Sequence, residues 1–313
     1  MKQKFIKYSL VFFTPIVLVF CVMELLTDHL PSKFKANQDY IEKQKNKFET
    51  LVLGSSQLMN GINAEWIESS TINLATGSQH HDTDFKLLKT LRPKFNNLKT
   101  VVIELSYSHF ELPHNGTKFW KNPLYLKYYH VNMFERKTYF KDRFIFLANP
   151  PFFLKNFYNY YIENDLDDKF NDYGFKTINY SGLFKKLNYN EDEIYLIPQI
   201  DLNTVEDLSV FKNNTKLFFE LLDYLTNENL NIIICKAPMY KTFLSKRNPS
   251  ILKRRDSVLQ VVSRKYFRIK ILDTEEDSLN FNVNDYINHS HLNPDGAKKF
   301  TLMLNEIINN IEK

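Results

Sequence analysis

The feature that most constrains the fold is a repeated alternation of short apolar segments with amphipathic ones. From residue 49 onward the apolar segments TLVLG, TINLA, TVVIELS, NIIICKA and RIKILD are separated by stretches with apolar residues at helical spacing. Segments of this kind are typical of buried parallel strands, because helices cover both faces of the sheet. The alternation therefore predicts a three-layer α/β domain with right-handed crossovers.

The closing helix has the clearest start signal in the chain. Asn293 is a suitable N-cap, Pro294 suits the first helical position, and Asp295 lies in the first turn. Apolar residues such as Phe300 and Ile307 then follow at helical spacing. These features predict a helix from residue 294 toward the end of the chain.

An apolar segment near the N-terminus indicates the compartment. YSLVFFTPIVLVFCVMELL has 19 residues, close to the roughly 20 that cross a bilayer as a helix. Lys2, Lys4 and Lys7 precede it, so the positive-inside rule predicts a cytoplasmic tail and an extracytoplasmic main domain. A cleaved signal peptide is the alternative, but the segment is long for one and no small-x-small cleavage site follows. We expect residues 1–28 to form a tail and transmembrane anchor, and residues 29–48, which are polar and helix-prone, to form a stalk.

Composition narrows the classes of partner. The chain has 313 residues, 43% hydrophobic and 25% charged, with a net charge of +5. No dense Lys/Arg run is present, which argues against nucleic acid as a partner. The two cysteines, Cys21 in the apolar segment and Cys235 in a predicted strand, are not expected to pair.

Residues 112–200 interrupt the alternation within the domain predicted for 49–313. This insertion is dense in Tyr, Phe and Asn. One interpretation is an irregular or helical insertion whose aromatic residues form a local core, since aromatic side chains mostly serve burial. The other is a lid or wall of a carbohydrate-binding cleft, and aromatic content alone does not separate the two.

Two strand ends contain candidate catalytic groups. LVLGSSQ passes from a predicted strand into Gly-Ser-Ser and a helical segment, which places a serine at the edge of a parallel sheet where ligands bind. INLATGSQ also leaves a strand for a turn, so Gly77 N–H and the Gln79 side chain are candidate oxyanion donors at the same edge. The alternative is purely structural: serines often cap helices and glycines often permit turns.

A histidine near the C-terminus supplies a candidate base. His291 lies between the last predicted strand and the closing helix, so its ring can reach the same edge as the strand-end serine. A serine nucleophile and its base must lie within hydrogen-bond distance, and the predicted topology brings these two residues together.

LVLGSSQLMNGI and HSHLNPDGAKKF resemble the first and last blocks of the SGNH (GDSL-type) hydrolase superfamily. More closely, they resemble membrane-anchored proteins of bacterial cell-envelope glycan systems, relatives of the teichoic acid D-alanyl transfer protein and of polysaccharide O-acetyltransferases. The resemblance covers about residues 50–110 and 230–312. It implies a flavodoxin-like fold and acyl-ester chemistry on a glycan or related carrier. We expect no cofactor.

The resemblance also implies roles for individual residues. Ser56 takes the nucleophile position, with Ser55 where the family has aspartate, and His291 matches the base. Gly77 matches the oxyanion glycine of the second block. The asparagine of the third block has no clear counterpart, and ELSYSHFE offers Ser106 and Tyr107 instead.

The acid position departs from the family pattern. Asn288 stands three residues before His291, where the family has aspartate. Three alternatives follow: Asp285 supplies the carboxylate, a Ser-His dyad works with a backbone carbonyl orienting the ring, or the site is inactive. His289 is a further candidate base, although it lacks the Leu-Asn helix start that follows His291.

A cation site is the remaining chemical option. His80, His81 and Asp82, or His289 with His291, offer ligand atoms, but their spacing matches no known metal arrangement. We therefore expect no metal.

The expected function is an extracytoplasmic esterase or O-acyltransferase that acts on an acylated cell-envelope glycan or polymer. The expected partners are the bilayer, through the N-terminal helix, and a multi-pass membrane O-acyltransferase. The alternative is a catalytically inactive glycan-binding or scaffold protein of an envelope polysaccharide system.

Overall fold

A parallel sheet forms the centre of the molecule. The computed structural model describes residues 2–164, 169–198 and 202–312. The strands of the sheet are β1 Thr50–Leu53, β2 Thr71–Asn73, β3 Thr100–Glu104, β4 Asn231–Lys236 and β5 Ile269–Asp273. They are all parallel and lie in the order β2-β1-β3-β4-β5. This is the strand order of flavodoxin-like folds, so the predicted α/β architecture is confirmed.

The strand order places a ligand site at one edge of the sheet. The chain moves from β1 outward to β2, and then returns to β3 on the other side of β1. In such sheets, ligands bind beyond the carboxyl ends of the two strands where the direction changes. Leu53 at the end of β1 pairs with Ile103 of β3, so the segments that follow these strands emerge side by side.

Helices cover both faces of the sheet. The helices are α1 Lys2–His29, α2 Lys33–Lys43, α3 Ser56–Gly61, α4 His81–Leu91, α5 Asn122–Tyr128, α6 Pro150–Phe157, α7 Leu183–Lys186, α8 Glu191–Tyr195, α9 Leu208–Asn227, α10 Lys241–Ser245, α11 Pro249–Lys265 and α12 Pro294–Glu312. The predicted cap of α12 is present, because Asn293 Oδ1 accepts hydrogen bonds from Asp295 N and Gly296 N.

Alternate residues of the strands pack into two separate hydrophobic cores. Leu51 packs with Leu88 of α4 and Phe218 of α9 on one face. Val52 packs with Phe300 of α12 on the other. Each such side chain contributes roughly 1.5–3 kcal/mol by leaving water. The period-two alternation of the strands therefore explains the three layers.

The segment predicted as a stalk is packed against the domain. Phe34 and Tyr40 of α2 are buried, and the Phe34 ring lies 5.1 Å from the ring of Tyr125. The Asn37 amide donates to Asn73 O at the end of β2. The apolar residues of α2 lie on one side, so the helix gains more by covering the sheet edge than by standing in solvent.

The aromatic insertion is a set of short helices and turns. Residues 165–168 and 199–200 of the predicted range lie outside the described residues. Tyr125 and Tyr129 join the main core beside the sheet, whereas Leu154 and Tyr158 of the same insertion are exposed. The insertion therefore both completes the core and presents an apolar surface.

Helix α1 is apolar and almost wholly exposed. It is long and apolar enough to cross a membrane. Its C-terminal part contacts the insertion: the Glu24 carboxylate accepts hydrogen bonds from Ile145 N and Phe146 N, and the rings of Phe20 and Phe144 are 5.0 Å apart. Cys21 of α1 and Cys235 of β4 are free thiols.

Candidate active site

The turn after β1 positions the candidate nucleophile. Gly54 has φ +151°, and a Cβ at this position would lie 2.6 Å from Glu104 Cβ, so only glycine fits. Ser55 then caps α3, its Oγ accepting from Gln57 N at 3.4 Å. Ser56 is the first residue of α3, which places its hydroxyl at the carboxyl edge of the sheet.

A buried carboxylate that we did not single out from the sequence holds this turn. Glu104 is fully buried at the end of β3. It accepts hydrogen bonds from Ser55 N at 2.7 Å, Ser55 Oγ at 2.6 Å and Leu58 N at 3.3 Å. Burial raises the pKa of Glu104, and these donors oppose that rise. The sequence signal that could have identified Glu104 is that it is the single charged residue in the segment TVVIELS.

A short hairpin before α12 positions the candidate base. Its strands β6 Tyr286–Asn288 and β7 His291–Leu292 are antiparallel. His291 Nε2 lies 2.8 Å from Ser56 Oγ, which is hydrogen-bond distance. The structure thus brings together two residues that are 235 positions apart in the chain.

Asn288 takes the orienting position beside the imidazole. Its Oδ1 is 3.0 Å from His291 Nδ1 and accepts from Ser290 N at 3.0 Å. Because a backbone N–H only donates, the amide atom facing it is the oxygen. The same oxygen faces Nδ1, so the proton of neutral His291 lies on Nδ1 and Nε2 accepts from Ser56 Oγ–H. This is the tautomer that a general base requires.

The other two candidates near the base have different partners. The Asp285 carboxylate accepts from Asn282 N at 2.8 Å and from Lys299 Nζ at 2.9 Å. His289 is buried, with its Nδ1 2.5 Å from Thr242 Oγ1. Burial lowers the pKa of His289 to about 4.

Gly77 lies next to the candidate nucleophile. A Cβ added to Gly77 would be 4.0 Å from Ser56 Cβ and 3.3 Å from Lys121 Nζ. Within the described residues, the N–H groups of Ser56 and Gly77 donate no hydrogen bond. Unpaired N–H groups on the nucleophile and on a glycine next to it are candidate donors to an oxyanion.

Gln79 and Ser106 have other contacts. Gln79 is fully buried; its Nε2 donates to Asp84 Oδ1 at 2.6 Å and its Oε1 accepts from Tyr125 OH at 2.8 Å. One of its two amide hydrogens is therefore used inside this buried network. Ser106 Oγ is 3.5 Å from His109 Nδ1.

A polar cavity of about 500 Å³ opens beside Ser56. Ser56, Ser78, Ser106, Asn115 and Asn203 are among the residues that line it. Hydroxyl and amide groups of this kind can hydrogen-bond a polar alcohol or water.

Buried histidines lie at the polar cavity, and His109 is one of its lining residues. The rings of His81 and His109 stack with centroids 4.0 Å apart, and His81 Nε2 is 2.9 Å from Glu104 O. Burial lowers the pKa of both histidines, that of His81 to about 3. In the described ranges, no three His, Cys, Asp or Glu side chains are arranged to hold a metal ion.

Comparisons with known proteins find no matching family model and no matching curated protein. Similar solved structures include a proposed acylhydrolase from Bacteroides fragilis, with 10% identity over 92% of this chain and 95% of that one and a TM-score of 0.40. A lipase/acylhydrolase from Enterococcus faecalis is 11% identical over 84% and 96%, with a TM-score of 0.37. A lipase from a goat rumen metagenome is 10% identical over 84% and 97%, with a TM-score of 0.35. At these identities and TM-scores the overall superposition is loose.

Proposed function

We propose that this chain is an extracytoplasmic, membrane-anchored serine esterase or O-acyltransferase of the SGNH (GDSL-type) superfamily. The observation that supports it most is the hydrogen-bonded series from Ser56 Oγ through His291 to Asn288. This series lies at the edge of the sheet where flavodoxin-like folds bind ligands.

The geometry supports a two-step acyl transfer. Ser56 Oγ attacks the ester carbonyl while its proton passes to His291 Nε2, and the N–H groups of Ser56 and Gly77 stabilise the oxyanion. His291 then protonates the leaving alcohol, and an acyl-serine remains. In the second step, His291 removes a proton from water or a sugar hydroxyl, which attacks the acyl group and frees Ser56.

The surroundings of the site suit an acceptor outside the membrane. The polar cavity beside Ser56 matches a sugar hydroxyl, and α1 supplies the anchor. By resemblance, the acceptor is a cell-envelope glycan or polymer and the partner a multi-pass membrane O-acyltransferase. The three lysines before the apolar segment favour an N-terminus in the cytoplasm.

Asn288 favours a second candidate function, that of an inactive glycan-binding or scaffold protein. An amide orients the imidazole but does not stabilise the imidazolium by charge. In serine proteases, replacing the aspartate of the triad by asparagine lowers kcat about 10⁴-fold through the wrong tautomer. The contact from Ser290 N supplies the correct tautomer here, which is why we favour the enzyme.

Hydrolysis of p-nitrophenyl acetate by the full chain tests the proposal. Ser56→Ala and His291→Ala should each lower kcat/KM by ~10³-fold or more, as for other catalytic dyads. Ser257→Ala, an exposed serine on α11, should retain the parent value. Hydrolysis that persists in Ser56→Ala, or its absence from the folded parent, would support the binding protein instead.

A further inference from the structure

A second, apolar cavity lies between residues that border the nucleophile, such as Gly77, and the end of helix α1. Its volume is about 300 Å³, at the lower end of the ~300–1,000 Å³ range of small-molecule sites. At the ~30 Å³ that a water molecule occupies in the liquid, it holds about ten water-sized or methylene-sized groups. Leu124 and Phe153 form part of its wall.

The two ends of this cavity differ. Met59 and Gly77 line one end; Met59 lies one helical turn after Ser56, and Gly77 borders Ser56 Cβ. Thr27 and Leu30 line the other end, at the end of α1. A straight chain in the cavity therefore extends from the nucleophile toward the level at which α1 would leave a bilayer.

Exposed apolar side chains surround the end near α1. Leu154 and Tyr158 are 52% and 54% exposed on α6 and the turn after it, Ile162 is 71% exposed, and Phe140 is 79% exposed. They belong to the same insertion whose Phe144 contacts α1. Apolar surface next to a membrane helix is expected to rest in the bilayer interface, which would open the cavity to lipid.

Two lysines, the buried Lys33 and the half-buried Lys121, line the cavity. Lys33 and Lys121 form no ion pair within residues 2–164, 169–198 and 202–312. Lys121 Nζ donates to Gly77 O, so its charge lies at the nucleophile end. Burial lowers the pKa of Lys33 to about 7 and that of Lys121 to about 8. An anionic group near Lys121 would offset this desolvation.

We propose that the apolar cavity binds one fatty acyl chain of an anionic membrane phospholipid, and that this lipid is the acyl donor of the Ser56 reaction. The proposal rests on the function proposed above. The acyl chain of the lipid would enter from the bilayer beside α1. The ester carbonyl of the lipid would lie at Ser56 Oγ, and its phosphate would lie near Lys121. The polar cavity on the other side of Ser56 would then receive the acceptor.

The reaction balances without a further reagent. Ser56 Oγ forms a bond to the ester carbon as the bond from that carbon to the glycerol oxygen breaks. The glycerol oxygen takes the serine proton through His291, and a lysophospholipid leaves. Water or a sugar hydroxyl then takes the acyl group.

The first experiment measures how fast alkyl fluorophosphonates label Ser56. The full chain is held in nanodiscs of a diether lipid, which contains no ester. Octyl fluorophosphonate should label Ser56 about tenfold or more faster than the ethyl compound, because each buried methylene adds binding. Leu124→Trp, which fills the cavity, should abolish this ratio.

A second variant tests the same cavity in case Leu124→Trp does not fold. Phe152 lines the cavity and is 40% exposed, so Phe152→Ala should fold and should move the optimum to longer chains. Lys155→Ala, at an exposed residue on the same helix but outside the cavity wall, is the matched control and should keep the parent ratio. Equal rates for ethyl and octyl, or a ratio that neither cavity variant changes, would overturn the acyl-chain site while leaving the esterase intact. No labelling by either compound would overturn both proposals.

The second experiment identifies the lipid source. The full chain is placed in vesicles of dilauroyl phosphatidylglycerol or dilauroyl phosphatidylcholine, and intact mass reports a lauroyl group on Ser56. We expect acylation about threefold or more faster with phosphatidylglycerol, a preference that Lys121→Gln should remove. Lauroyl coenzyme A in diether vesicles is the alternative donor. Acylation of Ser56 by lauroyl coenzyme A and by neither phospholipid would show that the acyl group does not come from the bilayer.

Discussion

At the scale of single residues, the site depends on which atom of Asn288 faces the imidazole. The Ser290 N–H contact places Oδ1 toward His291 Nδ1, so the amide performs the orienting part of the usual aspartate role without its charge. Asparagine fills this position in papain-like proteases as well. An asparagine at this position is therefore compatible with catalysis.

Substitution of Asn288 tests this role. Asn288→Ala should lower kcat/KM for p-nitrophenyl acetate by roughly 10–100-fold, because an unheld imidazole loses its alignment with Ser56. Asn288→Asp keeps the shape and adds a charge that stabilises the imidazolium, so kcat/KM should rise by about tenfold. An unchanged kcat/KM in both variants would exclude an orienting role for residue 288.

His289 should make the fold sensitive to acid. Its pKa in the folded chain is about 4, against an ordinary value of ~6.5. The unfolded chain therefore binds a proton first, and stability is lost as the pH falls from about 6.5 toward 4. Between pH 7 and 5 the contribution of His289 to the free energy of unfolding should fall by on the order of 1–2 kcal/mol.

Urea denaturation of the parent and of His289→Gln at several pH values measures this effect. The free energy of unfolding of the variant should fall less steeply from pH 7 to 5 than that of the parent. Identical slopes would show that His289 is protonated in the folded protein as easily as in the unfolded one.

At the scale of secondary-structure elements, the start of α3 is held by a buried carboxylate. Glu104 at the end of β3 accepts two backbone N–H groups and one hydroxyl from the turn and first residues around α3. A negative charge at a helix N-terminus is favourable. This contact fixes Ser55, and thereby the position of Ser56 relative to His291.

Glu104→Gln should therefore weaken both the fold and the site. The glutamine amide keeps one acceptor oxygen for the two backbone N–H groups but loses the charge that strengthens these bonds, so the free energy of unfolding should fall by about 1–3 kcal/mol. The rate of p-nitrophenyl acetate hydrolysis should fall as well, because Ser56 loses its support. Glu220→Gln, an exposed residue on α9, is the control and should change stability by no more than ~0.5 kcal/mol. Equal stabilities of the two variants would contradict this role of Glu104.

Elements with a local sequence pattern could be predicted from the sequence. Elements whose position depends on contacts with distant residues could not. The five strands of the sheet follow from their apolar segments, and the cap of α12 follows from Asn293 beside Pro294. The approach of His291 to Ser56 follows from topology, since both leave the same edge of the sheet. The packing of α2 depends on Asn73 and Tyr125, which lie far along the chain, and the β6–β7 hairpin is too short to leave a pattern.

At the scale of the whole molecule, the proposed orientation places two cavities between the bilayer and the envelope. The apolar cavity is lined by the end of α1 and by Gly77 beside Ser56, and Ser56 itself lines the polar cavity. This arrangement works only if the domain lies on the outer side of the membrane. The lysines before the apolar segment predict this side.

Reporter fusions test that orientation. Alkaline phosphatase fused after residue 313 should be active, and green fluorescent protein at the same position should be dark, because only the first matures outside the cytoplasm. Lys2, Lys4 and Lys7 changed together to Glu should reduce the phosphatase signal. Fluorescence of the parent fusion would place the domain in the cytoplasm and exclude an envelope substrate.

The central claim, that Ser56 is an activated nucleophile, is tested most directly by covalent labelling of the full chain with a fluorophosphonate, read by intact mass and peptide mapping. We predict one adduct, on Ser56, that is absent from Ser56→Ala and formed at least ~10²-fold more slowly in His291→Ala. An adduct on another serine, or equal labelling of His291→Ala, would contradict the claim. A folded parent that forms no adduct would contradict it as well.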